Sequence, residues 1–364
     1  MKILLKIIIV ILIIVILILV ATLLFLRFWP SVGATPDKAH QREYAKSDLF
    51  YDKQFHNENE IQLMAGKQDE ASDRRFPSEM IKAETPTFSE HGNKGEITFT
   101  WLGHSSSLLQ LGDKNVLIDP VLDKYSSPVT FTGVKRYSQC PVTVETLPEI
   151  DVLFISHDHY DHLEYQTIKG IDAKTGHYIV PLGVDVILES YGVAKEKITA
   201  LNWWEDVKID NVNYTLTPGQ HFTGRDPFRR NRTLWGGLYM NDGSHKVYYT
   251  GDTGYYDVFE RVYEKLGSVD LMIAENGQYD SAWPSVHMLP EQTVQAARDV
   301  HADWLVPVHW GTFCLCNHSW DEPVIRSTAE AKAQGQNIAT PRIGQTVNYN
   351  DIESYNERWW ESID

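Results

Sequence analysis

Four candidate ligands, His157, His159, Asp161 and His162, fall within one short run, His157-Asp158-His159-Tyr160-Asp161-His162. The strand-like segment Val152-Leu153-Phe154-Ile155-Ser156 leads straight into them, which places the polar cluster at a strand's carboxyl end. A buried core would have to pair or neutralise every one of these groups, so metal ligation is the economical reading. His157 and His159, two apart, can converge on one cation. Asp161 and His162, at an expected helix start, can reach a second. Three further donors follow strand-like runs: His221 after Thr217-Pro218-Gly219-Gln220, Asp252 in Thr250-Gly251-Asp252-Thr253-Gly254, and His309 after Val306-Pro307-Val308. Each alone is weak, because a single His at a strand end is as often structural. Together they are enough for two metals bridged by Asp252 and a water. Histidine and carboxylate donors without thiolate suit zinc first, with iron and manganese as alternatives. Two such cations roughly 3.5 to 4 Å apart lower the pKa of a shared water and polarise a phosphoryl or acyl oxygen, so the chemistry expected is hydrolysis.

Other groups could serve that reaction. Gly224 to Arg232 gathers Arg225, Arg229, Arg230 and Arg232 shortly after His221. Arg suits phosphate through bidentate contacts, and the alternative is a solvated loop paired with acidic neighbours. Trp203, Trp204, Trp235, Trp283 and Trp310 either line an acyl groove or fill the core. Cys140, Cys314 and Cys316 form neither a disulfide framework nor a zinc module; Cys314 and Cys316 read as packing residues, or as sites of unwanted oxidation if the domain is exported.

The elements that must position these residues are short runs bounded by Gly, Asp and Pro. Ile97 to Leu102, Ser107 to Leu111, Val116 to Ile118, Val152 to Ile155 and Tyr178 to Val180 read as strands of one sheet. Val212 to Thr217, Leu234 to Met240, Val247 to Thr250, Leu271 to Ala274 and Trp304 to Val308 read as a second, with helices near Tyr256 to Leu266 and Pro290 to Val300. Two sheet-forming halves flanked by helices predict an α+β chain with a four-layer αββα sandwich over residues 95–350. Residues 30–94 are polar and poorly periodic and are expected to be a linker and lead-in arm, and 351–364 a C-terminal tail.

Ahead of all this, Ile7 to Leu26 is apolar except for Thr22 and is long enough to span a bilayer. It is expected to be a single retained membrane anchor over residues 1–29. A cleaved signal peptide is the alternative, with Val32-Gly33-Ala34 as its cleavage site. Lys2 and Lys6 before the span favour a cytoplasmic N-terminus and an extracytoplasmic catalytic domain, although Arg27, Lys38 and Arg42 follow it. The net charge of -16 argues against nucleic acid. Oligomeric state is left open, and no regulatory partner is visible.

From about Ile97 to Thr346 the sequence resembles the metallo-β-lactamase superfamily, and within it the N-acylphosphatidylethanolamine phospholipase D branch. The resemblance rests on Thr100-Trp101-Leu102-Gly103-His104, Ile118-Asp119-Pro120, Ile155 to His162, Leu201-Asn202-Trp203-Trp204, Leu234-Trp235-Gly236, Gly251 to Tyr255 and Val308 to Phe313. It implies that His157, His159 and His221 hold one zinc, that Asp161, His162 and His309 hold the other, and that Asp252 bridges them. It further implies that His287, in His287-Met288-Leu289-Pro290-Glu291, is a catalytic histidine outside the ligand set; a helix-capping or core role is the alternative. The implied reaction is hydrolysis of an N-acylated ethanolamine phospholipid to N-acylethanolamine and phosphatidic acid. Glu275 to Pro284 departs from the animal enzymes and resembles bacterial relatives instead, as the N-terminal span does not resemble the animal enzymes. That leaves another ester, such as a lactone or cyclic phosphodiester, as the rival substrate class, and a non-catalytic envelope protein as the rival outside enzymes.

Overall fold

A computed structural model describes residues 2–63, 66–90, 92 and 95–363. The outer ends of the expected segments, at 1, 94 and 364, lie outside the described residues. Helix α1 (Lys2–Phe28) is apolar between Lys6 and Arg27 except for Thr22, and buries none of its residues against the rest of the chain. It is long and apolar enough to cross a membrane.

The first sheet contains β1 (Ile97–Gly103), β2 (Ser106–Leu111), β3 (Lys114–Ile118), β4 (Ile150–Phe154), β5 (Thr175–Pro181), β6 (Ile198–Leu201) and, from much later in the chain, β13 (Thr346–Asn348). Their order across the sheet is β6-β5-β4-β3-β2-β1-β13. The second sheet runs in sequence order through β7 (Asp206–Ile209), β8 (Val212–Thr217), β9 (Gly237–Asn241), β10 (Lys246–Tyr249), β11 (Val269–Glu275) and β12 (Ala302–Val308).

Strand alternation divides the apolar residues between three layers of packing. In β4, Val152 and Phe154 face the second sheet, while Leu153 joins a separate cluster with Ile168 of α3 (Tyr165–Ile171) and Ile187 of α4 (Val184–Tyr191). In β11, Leu271 and Ile273 face the first sheet, whereas Met272 and Ala274 meet α5 (Val258–Leu266) and α6 (Pro290–Asp299). Helices therefore cover the outer face of each sheet, which is the αββα sandwich. The structure adds α7 (Glu322–Gln334), packed beside α6, and the short edge strands β6, β7 and β13 to the elements expected. Strand β9 begins at Gly237, three residues later than the apolar pattern suggests, because Leu234 and Trp235 belong to the core without entering the ladder.

The two segments expected to be peripheral are packed. The stretch after α1 includes α2 (Lys38–Tyr44) and a tight hairpin that buries Phe50 and Phe55 in the inter-sheet core. At the other end, Trp359 and Trp360 are buried against Trp310, with ring centroids 5.4 and 6.0 Å away. Trp310 in turn lies 5.1 Å from Trp101 of β1. This aromatic block sits directly behind His309.

Candidate metal centre

The carboxyl ends of β4, β8, β10 and β12 converge on one point between the sheets, and each carries a donor on the turn that follows it. His157 Nε2 lies 2.9 Å from His159 Nδ1, and His221 Nε2 lies 3.3 Å from the same atom. On the other side, Asp161 Oδ2 is 3.5 Å from His162 Nε2 and 3.4 Å from His309 Nε2. Asp252 Oδ2 sits between the two groups, 3.2 Å from His162, 3.4 Å from His309, and 3.8 Å from both His157 and His221. All seven residues singled out as donors are thus brought together. Asp161 and His162 occupy a turn ahead of α3 rather than its first residues, because Glu164 caps that helix.

Such a set suits cations better than it suits an empty core. Ring nitrogens this close can share at most one proton, and burial holds the rings of His157, His159 and His221 below the ordinary histidine range. Buried His162 Nε2 and Asp252 Oδ1 have no hydrogen-bond partner. A donor set with uncommitted lone pairs facing inward fits two divalent cations.

The outer nitrogens are tied down by groups the sequence alone did not single out as site residues. Asp119 Oδ2 accepts from His162 Nδ1 at 2.7 Å, and the same carboxylate accepts from Tyr249 Oη at 2.6 Å and from the Ser156 amide at 2.7 Å. A carboxylate behind a ligating ring fixes its tautomer and raises its basicity. His221 Nδ1 donates to the Val286 carbonyl at 3.0 Å. Glu275 Oε2 lies 3.8 Å from His309 Nδ1. His104 Nε2 is 3.0 Å from Asp161 Oδ2, so it shares that carboxylate with the centre; burial and the neighbouring His309 ring push its pKa down to about 3 against the pull of Asp161. Two of these residues, His104 and Asp119, were visible only as parts of family words. Glu275 and the arm residue Asn57 carried no signal. Asn57 donates to the His221 carbonyl at 2.8 Å and accepts from its amide at 3.0 Å, so the arm holds one of the seven donors.

Backbone strain gathers at the same place. His104, Asp119 and His309 all have positive φ, at 53°, 41° and 67°. Non-glycine residues persist in the left-handed region only where the surroundings over-determine them. Here the His309 amide donates to the His104 carbonyl at 2.9 Å, locking the two strained turns together.

The donors form one wall of a cavity of about 370 Å³ whose other walls include Leu63, Phe222, Trp283, Val286 and Leu315. His287 also faces it, with its ring 5.1 Å from His221 and 5.3 Å from His309. Of the aromatics considered for a groove, only Trp283 lines the cavity; Trp203, Trp235 and Trp310 are buried core, and Trp204 packs at the core's margin. The arginine cluster is divided too. Arg230 lines the cavity and lies over the Phe222 ring at 4.6 Å. Arg225 does not reach it: its guanidinium is buried, donating to the carbonyls of Ser31, Asp158 and Leu163. Arg229 pairs with Asp226 and donates to the Leu26 carbonyl, and Arg232 donates to the Lys53 carbonyl. These three are spent on structure because the loop must tie the arm and α1 to the sandwich. Of the three cysteines, Cys316 is buried and Cys140 and Cys314 partly so; all are free thiols.

The sandwich with a histidine and aspartate cluster at its strand ends defines a class, and sequence comparison names it. Residues 114–310 match the family model described as a beta-lactamase superfamily domain, and the chain belongs to that superfamily of metal-dependent hydrolases. It is 39% identical over 260 residues to an uncharacterized protein of Mycobacterium tuberculosis, covering 70% of each chain. It is 32% identical over 254 residues to N-acyl-phosphatidylethanolamine-hydrolyzing phospholipase D 1 of Caenorhabditis elegans, covering 66% of this chain and 71% of that one. This places it in the phospholipase D-like branch. Among solved structures, a possible metal-dependent hydrolase from Veillonella parvula superposes with a TM-score of 0.56 at 18% identity, over 69% of this chain and 99% of its own. That likeness speaks for the fold alone.

Proposed function

We propose that this protein is a membrane-anchored dinuclear zinc hydrolase of phospholipase D type. Its substrates would be lipids like N-acylphosphatidylethanolamine, cleaved to N-acylethanolamine and phosphatidic acid. The observation that carries the reading is the position of Asp252 Oδ2 within 3.8 Å of four histidines on the wall of a largely apolar cavity with Arg230 beside it. The name of the Caenorhabditis elegans relative supplies the substrate class. His157, His159 and His221 would hold one cation, Asp161, His162 and His309 the other, and Asp252 both; zinc suits these donors first, iron or manganese next. Bound there, the pair would supply Lewis acidity toward a phosphoryl oxygen and a water.

The chain's own residues do the rest. Arg230 presents a cation at the cavity, where a phosphodiester anion gains a charge-assisted contact. The apolar walls take acyl chain and exclude bulk water, which strengthens every electrostatic contact inside. Water bonds to phosphorus through oxygen and releases one proton to solvent, the bond from phosphorus to the ethanolamine oxygen breaks, and His287 gives that leaving oxygen a proton. Anchoring by α1 suits a substrate that resides in a bilayer. The lysines ahead of α1 favour placing the catalytic domain on the extracytoplasmic side.

A cavity of this volume also takes a whole lactone or cyclic phosphodiester, the second reading. The deciding assay is hydrolysis by the full chain with added zinc in detergent micelles. N-acylphosphatidylethanolamine, a lactone and a cyclic phosphodiester are tested beside an Asp252→Asn control. Release of phosphatidic acid and N-acylethanolamine that vanishes in the control is expected. Turnover of only a small ester transfers the assignment to the second reading.

A further inference from the structure

A second cavity, of about 660 Å³, lies beside the end of α1 and is separate from the metal centre. Lys38, Arg42, Lys53, Arg229 and Arg232 line it together with the carboxylate of Asp52, and of these cations Arg229 is already paired with Asp226. That is a concentration of positive charge in a chain whose net charge is -16. Self-repulsion makes such a cluster costly unless an anion relieves it.

Three elements build it. Lys38 and Arg42 are four residues apart on α2 and therefore share a face of that helix. Lys53 has φ 62° in the tight turn between Phe50–Tyr51 and Gln54–Phe55, which turns it out of the hairpin. The arginine loop supplies the third wall. Lys38, Arg42 and Lys53 are exposed, and none of them is paired with a carboxylate among the described residues.

The location gives the charge its meaning. Arg229 Nη2 donates to the Leu26 carbonyl in the last turn of α1 at 2.8 Å, and Nη1 donates to Thr35 Oγ1 at 2.6 Å. The basic cavity thus begins where the apolar helix stops. Phe28 and Trp29 at that point, and Phe228 next to Arg229, are exposed, as aromatics are at a membrane–water boundary. Arg230 turns away from this cavity to the metal centre, so neighbouring arginines of one loop serve two sites.

We propose that this cavity binds the phosphate headgroups of anionic phospholipids in the leaflet from which α1 emerges. The inference rests on the membrane-anchored part of the functional reading. It concerns a site that no step of hydrolysis uses. The exposed Lys38, Arg42 and Lys53 supply the cations that meet the phosphate, while Arg229, paired with Asp226, and Arg232, bonded to the Lys53 carbonyl, hold the wall behind them. Binding there would draw the sandwich down onto the bilayer beside its anchor.

The test uses full-length protein in phosphatidylcholine nanodiscs doped with phosphatidylglycerol, released gently and examined by native mass spectrometry for retained lipid. The expected result is selective retention of phosphatidylglycerol by the wild type. In the triple variant K38E/R42E/K53E, retention should fall at least tenfold, since each basic side chain near an anionic surface contributes strongly to binding. Its melting temperature and its turnover of micellar substrate should stay as in the wild type, because none of the three lines the metal cavity. K38R/R42K/K53R should retain the lipid. Equal retention by wild type and the charge-reversed variant overturns the proposal. So does displacement of phosphatidylglycerol by inorganic phosphate at matched concentration, which would mark a free-anion site. Extraction of the wild type from vesicles by alkaline carbonate tests the anchor separately: release would remove both readings, whereas stable insertion without phosphatidylglycerol preference removes only this one.

Discussion

Glu275 Oε2 lies 3.5 Å from His287 Nδ1, and the same carboxylate oxygen is 3.8 Å from His309 Nδ1. One buried acid thus stands behind both a donor of the metal cluster and the histidine proposed as proton donor. Its other oxygen accepts from the Met288 amide at 2.5 Å, which fixes the carboxylate between the two rings. Glu275→Gln keeps the shape and removes the charge. We expect turnover to fall about 10- to 100-fold, with zinc affinity also reduced. His287→Ala should lower kcat by roughly 10²- to 10⁴-fold while zinc content stays at the wild-type level. Measuring kcat beside metal content in both variants checks the division of labour; loss of zinc in His287→Ala would make His287 a ligand instead.

Arg225 and Arg230 are close in the chain and should behave oppositely. Arg225→Ala strips partners from the carbonyls of Ser31, Asp158 and Leu163 and removes a guanidinium 3.9 Å from the Tyr160 ring. The Ser31 carbonyl keeps the Tyr191 hydroxyl as a donor at 2.8 Å, but orphaned buried acceptors such as the other two cost about 1 to 3 kcal/mol each, so a clear drop in melting temperature is expected. Arg230→Ala should leave the melting temperature within error and raise KM for a phosphodiester substrate, with a smaller change for an uncharged lactone.

Gly277 permits the backbone of β11's extension to touch the turn that presents His309. A Cβ at this position would stand 1.9 Å from the His309 carbonyl oxygen, far inside contact distance. Gly277→Ala should therefore displace His309, lower zinc stoichiometry below that of the wild type, and leave the circular dichroism of the sandwich intact. Full zinc occupancy in this variant would show that the turn can shift.

Chelation offers a check that needs no mutation. Ligands that bind only the folded state stabilise it by mass action. Removing zinc with a chelator should lower the melting temperature, and zinc should restore it. An unchanged transition after verified metal loss would mean that the cluster's packing, not its cations, holds these turns.

Much of this was written in local pattern. The seven donors stand at the ends of runs whose apolar content marks them as strands, so periodicity located them before any packing was known. Asp119, Glu275 and Asn57 were not readable in this way. Each is a lone polar residue whose importance comes from what folds against it: Asp119 meets His162, Asn57 meets His221 across a long stretch of chain, and Glu275 closes behind β12. The arginine loop misled for the opposite reason. Composition marked four cations, but which of them turns toward the cavity depends on hydrogen bonds to Leu26 at the end of α1 and to Ser31 and Lys53 in the following segment, which has little periodicity. The same segment reads as a linker because its apolar residues are scattered, and only in the fold do Tyr44, Phe50, Phe55 and Ile81 come together in the inter-sheet core. Edge strands β6, β7 and β13 are too short for alternation to register.

The clasp between Asn57 and the backbone of His221 has a thermodynamic corollary. Two equilibria that share a residue are linked, and linkage is reciprocal. Whatever factor the docked arm adds to the affinity of the His221 side of the cluster for its ion, the ion must return to the docking of the arm. The apo protein would then carry a looser arm, more open to proteolysis between α2 and Asn57. A cut there would uncouple the sandwich from α1 and slacken its grip on the ion in one event, making the tether a reporter of whether the cluster is loaded.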